Sequence, residues 1–143
     1  MPQPELLSFD PCTGAELWRG PQADAAAVAG AVATARGALP GWARTPLDER
    51  IAMLRRYQEI VRERAEDFAA LIARETGKPL WETRTEVASV AGKVDISITA
   101  HGERTGTRSG EVGGVRQVLR HKPHGVLAVL GPYNFPAHLP NGH

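Results

Sequence analysis

The sequence predicts an α/β fold in which three helices precede short β-segments. Apolar side chains recur at spacings of three and four in three stretches between residues 24 and 100, which indicates helices that cover a core. Residues 115–120 alternate in the manner of a strand, and residues 126–130 form a continuous apolar run between glycines. Such a run predicts a strand buried on both faces, which occurs mainly in parallel sheets covered by helices.

The composition excludes several classes of protein. Basic side chains number 17 and acidic ones 16, for a net charge of +1, so no polyanionic partner such as nucleic acid is indicated. The first residues lack the features of a secretory signal, and no window approaches the ~18 apolar residues of a membrane span. The single cysteine, Cys12, forms no internal disulfide. We therefore expect a cytoplasmic protein that binds neither nucleic acid nor membranes.

The first part of the chain predicts a β-hairpin and a helix. Residues 6–20 contain Asp10-Pro11-Cys12-Thr13-Gly14, which is turn chemistry between two extended segments. Residues 24–39 are rich in alanine and have one apolar face. Gly37 and Pro40-Gly41 predict the end of this helix near residue 39.

The second helix has the clearest start and end signals. Thr45 and Asp48, with a proline at the first helical position, resemble a capping box. Its apolar stripe continues to residue 72, and Gly77 with the proline that follows predicts its end. A third helix is predicted over residues 80–100. Glu75 and Glu86 are interpreted as solvated charges on the surfaces of these helices.

β-type signals dominate the remaining residues. Gly113-Gly114 predicts a tight hairpin turn before the alternating segment 115–120. The apolar run 126–130 has no partner strand in the sequence. We expect its partners to lie beyond residue 143 and the chain to stop inside a domain.

The loop after this run contains the residues best suited to chemistry. Ligands of open α/β folds bind outside the carboxyl ends of the strands, which is where Pro132, Tyr133 and Asn134 fall. Flanking prolines would hold Asn134 in a fixed pose, and its side-chain N–H could stabilise an oxyanion formed by addition to a carbonyl. Asparagine between prolines is also an ordinary turn residue, so spacing alone leaves both interpretations open.

Several motifs, in the expected order, resemble those of the aldehyde dehydrogenase superfamily. Residues 131–136, Gly-Pro-Tyr-Asn-Phe-Pro, are similar to its Pro-Trp-Asn-Phe-Pro signature, and residues 10–14 to its N-terminal hairpin. Trp42 with residues 48–50 resembles the start of its long second helix, and residues 74–79, Arg-Glu-Thr-Gly-Lys-Pro, resemble the characteristic end of that helix. The resemblance covers nearly the whole chain.

Residues 120–143 are most similar to the branch that oxidises N-succinylglutamate 5-semialdehyde with NAD in bacterial arginine catabolism, the arginine succinyltransferase pathway. Tyr133 replaces the usual Trp, as it does in that branch, and Ala137 stands where the branch usually has Gly. The resemblance implies the N-terminal portion of the family fold. Residues 1–110 would be the hairpin and helical part of the cofactor-binding domain, 111–124 a β-segment of oligomerisation type, and 125–143 the first strand of a Rossmann-like sheet with its signature loop, truncated.

The resemblance also implies part of a mechanism. In this family a cysteine thiolate attacks the aldehyde, an asparagine holds the oxyanion, hydride passes to the nicotinamide, and a glutamate activates water. Asn134 matches the oxyanion role, and Pro132, Tyr133 and Asn134 would border the cofactor. The other groups come later than residue 143 in the family, and Cys12 lies where the family has no nucleophile. The chain alone is therefore expected to be inactive.

His138 and Asn141 follow the signature on what the family makes a helix lining the substrate tunnel. They could donate hydrogen bonds to a substrate with two carboxylates, or they could simply cap and pack. No metal site is predicted, because the histidines lack the spacing that places two ligands on one helical face. The full-length protein would act on a small aldehyde as a homo-oligomer. Two alternatives stay open: a dehydrogenase for another semialdehyde, such as glutamate or succinate semialdehyde, and a non-catalytic helical interaction module.

Overall fold

Four long helices lie between two β-hairpins in the computed structural model, which describes residues 4–143. Residues 1–3, at the start of the predicted segment 1–110, lie outside the described residues. The elements in chain order are β1 Glu5–Phe9, β2 Glu16–Pro21, α1 Ala25–Arg44, α2 Leu47–Glu63, α3 Ala65–Thr76, α4 Leu80–Arg104, β3 Thr107–Val112, β4 Val115–Arg120 and the short α5 His138–Asn141.

The predicted N-terminal hairpin is confirmed. β1 and β2 pair antiparallel, with an irregularity in the register between Ser8 and Phe9. The Asp10 carboxylate organises the turn, because its Oδ1 accepts hydrogen bonds from the backbone N–H groups of Cys12 at 2.8 Å and Thr13 at 3.2 Å. The predicted turn at residues 10–14 is thus closed by short-range hydrogen bonds to an Asp side chain.

α1 begins as predicted but ends later. The Asp24 carboxylate accepts a hydrogen bond of 2.7 Å from the N–H of Ala27 and so caps the helix. The predicted end near residue 39 is wrong, since the helix continues through Pro40 to Arg44. A proline within a helix leaves one carbonyl without its N–H partner. No residue of α1 is buried, so water can hydrate that carbonyl.

The predicted capping box at the start of the second helix is wrong. α1 extends to Arg44, so Thr45 is its C-cap, and the Thr45 hydroxyl donates to the carbonyl of Gly41 at 3.2 Å. α2 therefore begins after Pro46 without a side-chain cap. The predicted single helix to residue 77 is also divided at Arg64, whose φ of −108° and ψ of 22° separate α2 from α3.

α4 is the central helix of the core, and α2 and α3 both pack on it. The apolar stripe predicted for the third helix is buried at Val87, Val90, Ala91 and Val94. α2 and α3 contribute Val61, Ala69 and Ile72 to the same core. The early part of the α2 stripe, at Leu47, Leu54 and Tyr57, stays exposed, so the core forms around the second half of α2 only.

The second hairpin is confirmed and is larger than expected. β3 and β4 pair antiparallel around Gly113 and Gly114, whose φ angles of 59° and 80° suit the tight turn. The hairpin spans residues 107–120, because the glycine-rich segment before the turn supplies the first strand. Its residues are all exposed. The oligomerisation role of segment 111–124 stays a prediction.

The strand predicted at residues 126–130 does not form in the described part of the chain. Leu127 and Leu130 are 61% and 97% exposed, so the segment is not buried on either face. A strand requires a hydrogen-bonding neighbour, and none lies beside this segment among residues 4–143.

No helix of that described range is both long and apolar enough to cross a membrane.

Gly77 provides a test of how the end of α3 is built. Its φ of 73° lies in the left-handed region, and a Cβ there would meet Cγ of Pro11 at 3.0 Å. We expect Gly77→Ala to lower the free energy of unfolding by about 1–2 kcal/mol, because an L-residue is strained in this conformation. Chemical denaturation measures the difference. Gly30→Ala in the exposed α1 is the control, since it has a helical conformation and no neighbour within 4 Å, and a loss there as large as at Gly77 would contradict the explanation.

Candidate functional site

The signature loop, residues 131–136, forms a turn that presents two side chains to solvent. The N–H of Phe135 approaches the carbonyl of Pro132 at 3.4 Å, with Tyr133 and Asn134 between them. Tyr133 is 90% exposed. Asn134 is exposed, and its side-chain amide has no hydrogen-bond partner in residues 4–143. Asn134 is thus a turn residue, but its amide does not cap the turn and is available to a ligand.

Lys78 supports this loop from the helix side. Its Nζ donates to the backbone carbonyl of Asn134 at 3.2 Å and lies 4.1 Å from the centre of the Phe135 ring. Gly77 ends α3 in the left-handed conformation directly before it, so the helix end places Lys78 under the loop. No separate role for Lys78 was predicted from the sequence. The available signal was a lysine directly after the helix-ending glycine.

The prediction that Glu86 is a solvated charge on a helix surface is wrong. Its side chain is 0% exposed. Its Oε1 accepts hydrogen bonds from the backbone N–H groups of Ala137 and His138, both at 3.1 Å. Its Oε2 accepts from Lys78 Nζ at 2.9 Å. The pattern of α4 could not show this, because the chain that covers Glu86 comes from residues about 50 positions away.

The Glu86–Lys78 pair is charged at neutral pH. Burial by itself would raise the pKa of Glu86, but hydrogen bonds from Lys78, His138 and Ala137 outweigh it and lower the pKa below its ordinary value. Burial would lower the pKa of Lys78, whereas its hydrogen bonds to Glu86 and Glu82 outweigh that effect and raise it. A buried carboxylate needs such partners, because an uncompensated charge in the interior is costly.

α5 is anchored at its other end by Asn141. Its Nδ2 donates to the carbonyl of Val90 at 3.1 Å, and its Oδ1 accepts from the hydroxyl of Tyr57 at 2.7 Å. α5 also passes close to the start of the signature loop, since a Cβ on Gly131 would lie 2.9 Å from Cγ of Pro140. The loop and α5 therefore form one unit that is held on α4 at both ends.

The predicted substrate residues thus differ in their surroundings. The Asn141 amide is engaged by α2 and α4 on both sides, which is a packing role. His138 is half-buried, and its Nδ1 is buried without a hydrogen-bond partner in the described residues. Of the two, His138 is the side chain with unused hydrogen-bonding capacity. Substrate binding by either residue stays a prediction.

An open groove of about 470 Å³ lies beside the signature loop. Tyr133, Pro136 and Ala137 border it on one side, and Phe68 and Leu71 of α3 border it on the other. The exposed Tyr133 ring and the neighbouring Asn134 amide give this edge an aromatic face and a polar group. An exposed aromatic face beside an amide could contact a planar ligand.

Other candidate groups lie elsewhere. Cys12 is exposed in the turn of the first hairpin. Glu75 is exposed, as predicted, and accepts a hydrogen bond from the hydroxyl of Ser8. Within the described range 4–143, no group of three His, Cys, Asp or Glu side chains is arranged to hold a metal ion.

The ion pair predicts a dependence of stability on pH. Because the folded-state pKa of Glu86 is lowered, its contribution is complete above the ordinary value of 4.5 and is lost as the pH falls below that value. We expect the difference in Tm between the wild type and Glu86→Gln to be largest near about pH 7 and to shrink below about pH 4.5. Thermal unfolding followed by circular dichroism measures it. A difference that stays constant down to about pH 3 would contradict the assignment.

Substitutions of two asparagines of the site are predicted to differ in their effect on stability. Asn141→Ala removes two hydrogen bonds and leaves the Val90 carbonyl without this donor, so we expect a loss of about 1–2 kcal/mol in the free energy of unfolding. Asn134→Ala removes an exposed side chain without a partner and should change that free energy by less than about 0.5 kcal/mol. Urea denaturation of both variants tests this. Equal losses would show that the Asn134 side chain also serves packing.

The comparisons with known proteins agree with this architecture. The model of the aldehyde dehydrogenase family matches residues 2–143. The chain is 61% identical over 140 residues to N-succinylglutamate 5-semialdehyde dehydrogenase of Sphingopyxis alaskensis, covering 97% of this chain and 28% of that protein. It is 59% identical over 138 residues to N-succinylglutamate 5-semialdehyde dehydrogenase 2 of Caulobacter vibrioides, covering 96% of this chain and 28% of that protein.

The fold is found in solved structures. The crystal structure described as an E. coli NADP dependent enzyme superposes with a TM-score of 0.88 at 28% identity, over 96% of this chain and 29% of that chain. The predicted α/β fold, of the kind that forms the N-terminal part of an aldehyde dehydrogenase, is confirmed. The described chain spans about 28% of the length of the curated relatives named above. It belongs to the aldehyde dehydrogenase family.

Proposed function

We propose that these residues form the N-terminal part of an enzyme that oxidises N-succinyl-L-glutamate 5-semialdehyde to N-succinyl-L-glutamate with NAD, in the arginine succinyltransferase pathway. The names of the two relatives at 61% and 59% identity support the substrate. The observation that carries the proposal is Asn134, whose unpartnered amide stands on a loop held in place by Lys78 and Glu86. A fixed donor of this kind suits a developing oxyanion.

The proposed role of Asn134 follows from the charge that the reaction creates. Addition of a thiolate to the aldehyde carbon forms a carbon–sulfur bond and leaves the negative charge on the former carbonyl oxygen. The Asn134 side-chain N–H donates to that oxygen and lowers the energy of the transition state. Hydride then leaves the same carbon, and water releases the acid from the resulting thioester. Thiolate and general base are proposed to come from outside these residues, so the 143-residue chain alone is proposed to be inactive.

Pro132, Tyr133 and Asn134 are proposed to border the nicotinamide end of the cofactor. The exposed Tyr133 ring and the adjoining groove provide an aromatic edge that fits a flat heterocycle. The cofactor supplies the hydride acceptor when it is bound. We propose NAD, and the assay compares it with NADP, since the similar E. coli enzyme is described as NADP dependent.

His138 and Asn141 are proposed to face the substrate. The unpartnered His138 Nδ1 supports a role in binding one of the two carboxylates, while Asn141 is the weaker candidate because its amide is engaged by Tyr57 and Val90. We further propose that the full-length protein is a cytoplasmic homo-oligomer. The exposed β3–β4 hairpin supports this, because both of its edges are available for pairing.

The test of the function is the activity of the full-length enzyme and its Asn134→Ala variant. We expect wild-type oxidation of N-succinylglutamate semialdehyde with NAD to exceed that of glutamate or succinate semialdehyde in kcat/KM. Asn134→Ala should lower kcat about 10²- to 10³-fold, because one oxyanion donor is lost. Formation of NADH or NADPH is followed by absorbance.

Gln22→Ala is the matched control, because it removes an exposed amide directly after β2 whose side chain has no hydrogen-bond partner in residues 4–143. Its activity should equal that of the wild type. If the full-length enzyme has a higher kcat/KM with another semialdehyde, that compound replaces N-succinylglutamate semialdehyde as the proposed substrate. Absence of aldehyde oxidation by the full-length wild type would overturn the enzymatic proposal and favour a non-catalytic module.

A further inference from the structure

We propose that the buried Glu86–Lys78 ion pair is a positioning device that sets the location of the Asn134 amide for the reaction. Neither side chain is proposed to contact substrate or cofactor. The inference rests on the proposed function, since it names residues that act on the oxyanion donor through the backbone. It is separate from that function because the clamp, which Glu86 and Lys78 form on the signature loop, can be detected by a structural measurement without any activity.

The two residues hold the signature loop on both sides of Pro136. On one side, Lys78 Nζ binds the carbonyl oxygen of Asn134 at 3.2 Å. On the other, Glu86 Oε1 binds the consecutive N–H groups of Ala137 and His138 at 3.1 Å. The contact of 2.9 Å between Lys78 and Glu86 Oε2 joins the two sides. One carboxylate therefore fixes both the backbone of Asn134 and the start of α5.

Stability alone would not require this arrangement. An apolar side chain of similar volume can replace a buried ion pair at little or no cost in stability. Such a side chain cannot bind a carbonyl oxygen or two N–H groups, so it would not fix the direction of the loop. Charge-assisted hydrogen bonds are short and directional, and they restrict the atoms that they join. The Glu86–Lys78 pair provides this restriction next to the one unpartnered amide of the signature loop.

The position of a hydrogen-bond donor matters when the donor must reach a negative charge that forms on another group. A displacement of about 1 Å in a reacting geometry can cost about 10²-fold in rate. Asn134 has no side-chain partner in residues 4–143, so its position depends on its backbone. Lys78 is the side chain that binds this backbone, and Glu86 holds Lys78. Loss of the carboxylate should therefore weaken transition-state stabilisation more than substrate binding.

Glu86→Gln is the direct test in the full-length protein. It keeps the side-chain shape but removes the charge and brings an amide or a neutral oxygen to Lys78. Glu82→Gln is the matched control, because Glu82 also pairs with Lys78, at 3.2 Å, but is partly exposed and does not bind the loop. We expect kcat to fall at least about tenfold in Glu86→Gln, with the aldehyde KM within about twofold of wild type. Glu82→Gln should match the wild type.

A second measurement tests the clamp without relying on enzyme activity. Hydrogen exchange followed by mass spectrometry should show the amides of Ala137 and His138 exchanging about tenfold faster in Glu86→Gln than in the wild type. Peptides from the α3 core should be unchanged. If the wild type oxidises no aldehyde, the proposed function fails, while the exchange result still decides whether the clamp exists.

Lys78→Met and Lys78→Arg keep the test decisive if Glu86→Gln does not fold. Lys78→Met removes the bond to the Asn134 carbonyl and should lower kcat at least about tenfold, while Lys78→Arg retains a donor and should restore part of it. A merely structural role would lower the fraction of folded enzyme without changing kcat per folded molecule. The proposal is overturned if Glu86→Gln, or failing that Lys78→Met, keeps wild-type kcat per folded molecule, or if the exchange of Ala137 and His138 is unchanged.

Discussion

The buried carboxylate of Glu86 is the interaction on which the arrangement of the site depends. It joins the first half of α4 to Lys78, between α3 and α4, and to the backbone at the start of α5, which lies about 50 residues further along the chain. Its cost of desolvation is offset by one ammonium group and two N–H donors. Without it the start of α5 would lose both hydrogen bonds to α4 and Lys78 would lose its buried partner, so that only Asn141 would hold this unit on α4 by hydrogen bonds.

The other helices hold the residues of this contact in place. α2 and α3 pack on α4 through small and branched side chains, which fix the position of α4. Gly77 ends α3 in a left-handed conformation and delivers Lys78 to the same place. Asn141 fastens the far end of α5 to α2 and α4. The loop is thereby held by directional bonds, whereas the neighbouring segment 126–130 and the β3–β4 hairpin stay exposed.

Local chemistry explains which features the sequence predicted. The turn at Asp10, the helix end at Gly77 and the hairpin glycines all depend on a few neighbouring residues. The signature loop was located by its place after the apolar run and by its resemblance to the family motif. Some predictions failed where a distant segment decides, and one failed because a neighbouring helix is longer than expected. Glu86 looked solvated because residues 137 and 138 cover it only in the folded chain, and Thr45 lost its expected cap role because α1 extends past Pro40. The segment 126–130 has a strand's sequence, but a strand requires a neighbour.

An NMR titration of the Glu86 side-chain carboxyl, with the amide protons of Ala137 and His138 followed in the same samples, tests the central claim most directly. The account predicts that Glu86 titrates below its ordinary pKa of 4.5 and that both amide protons shift with the same midpoint, because they bind the carboxylate. A carboxyl that titrates at or above 4.5, with amide protons that do not follow it, would contradict the account.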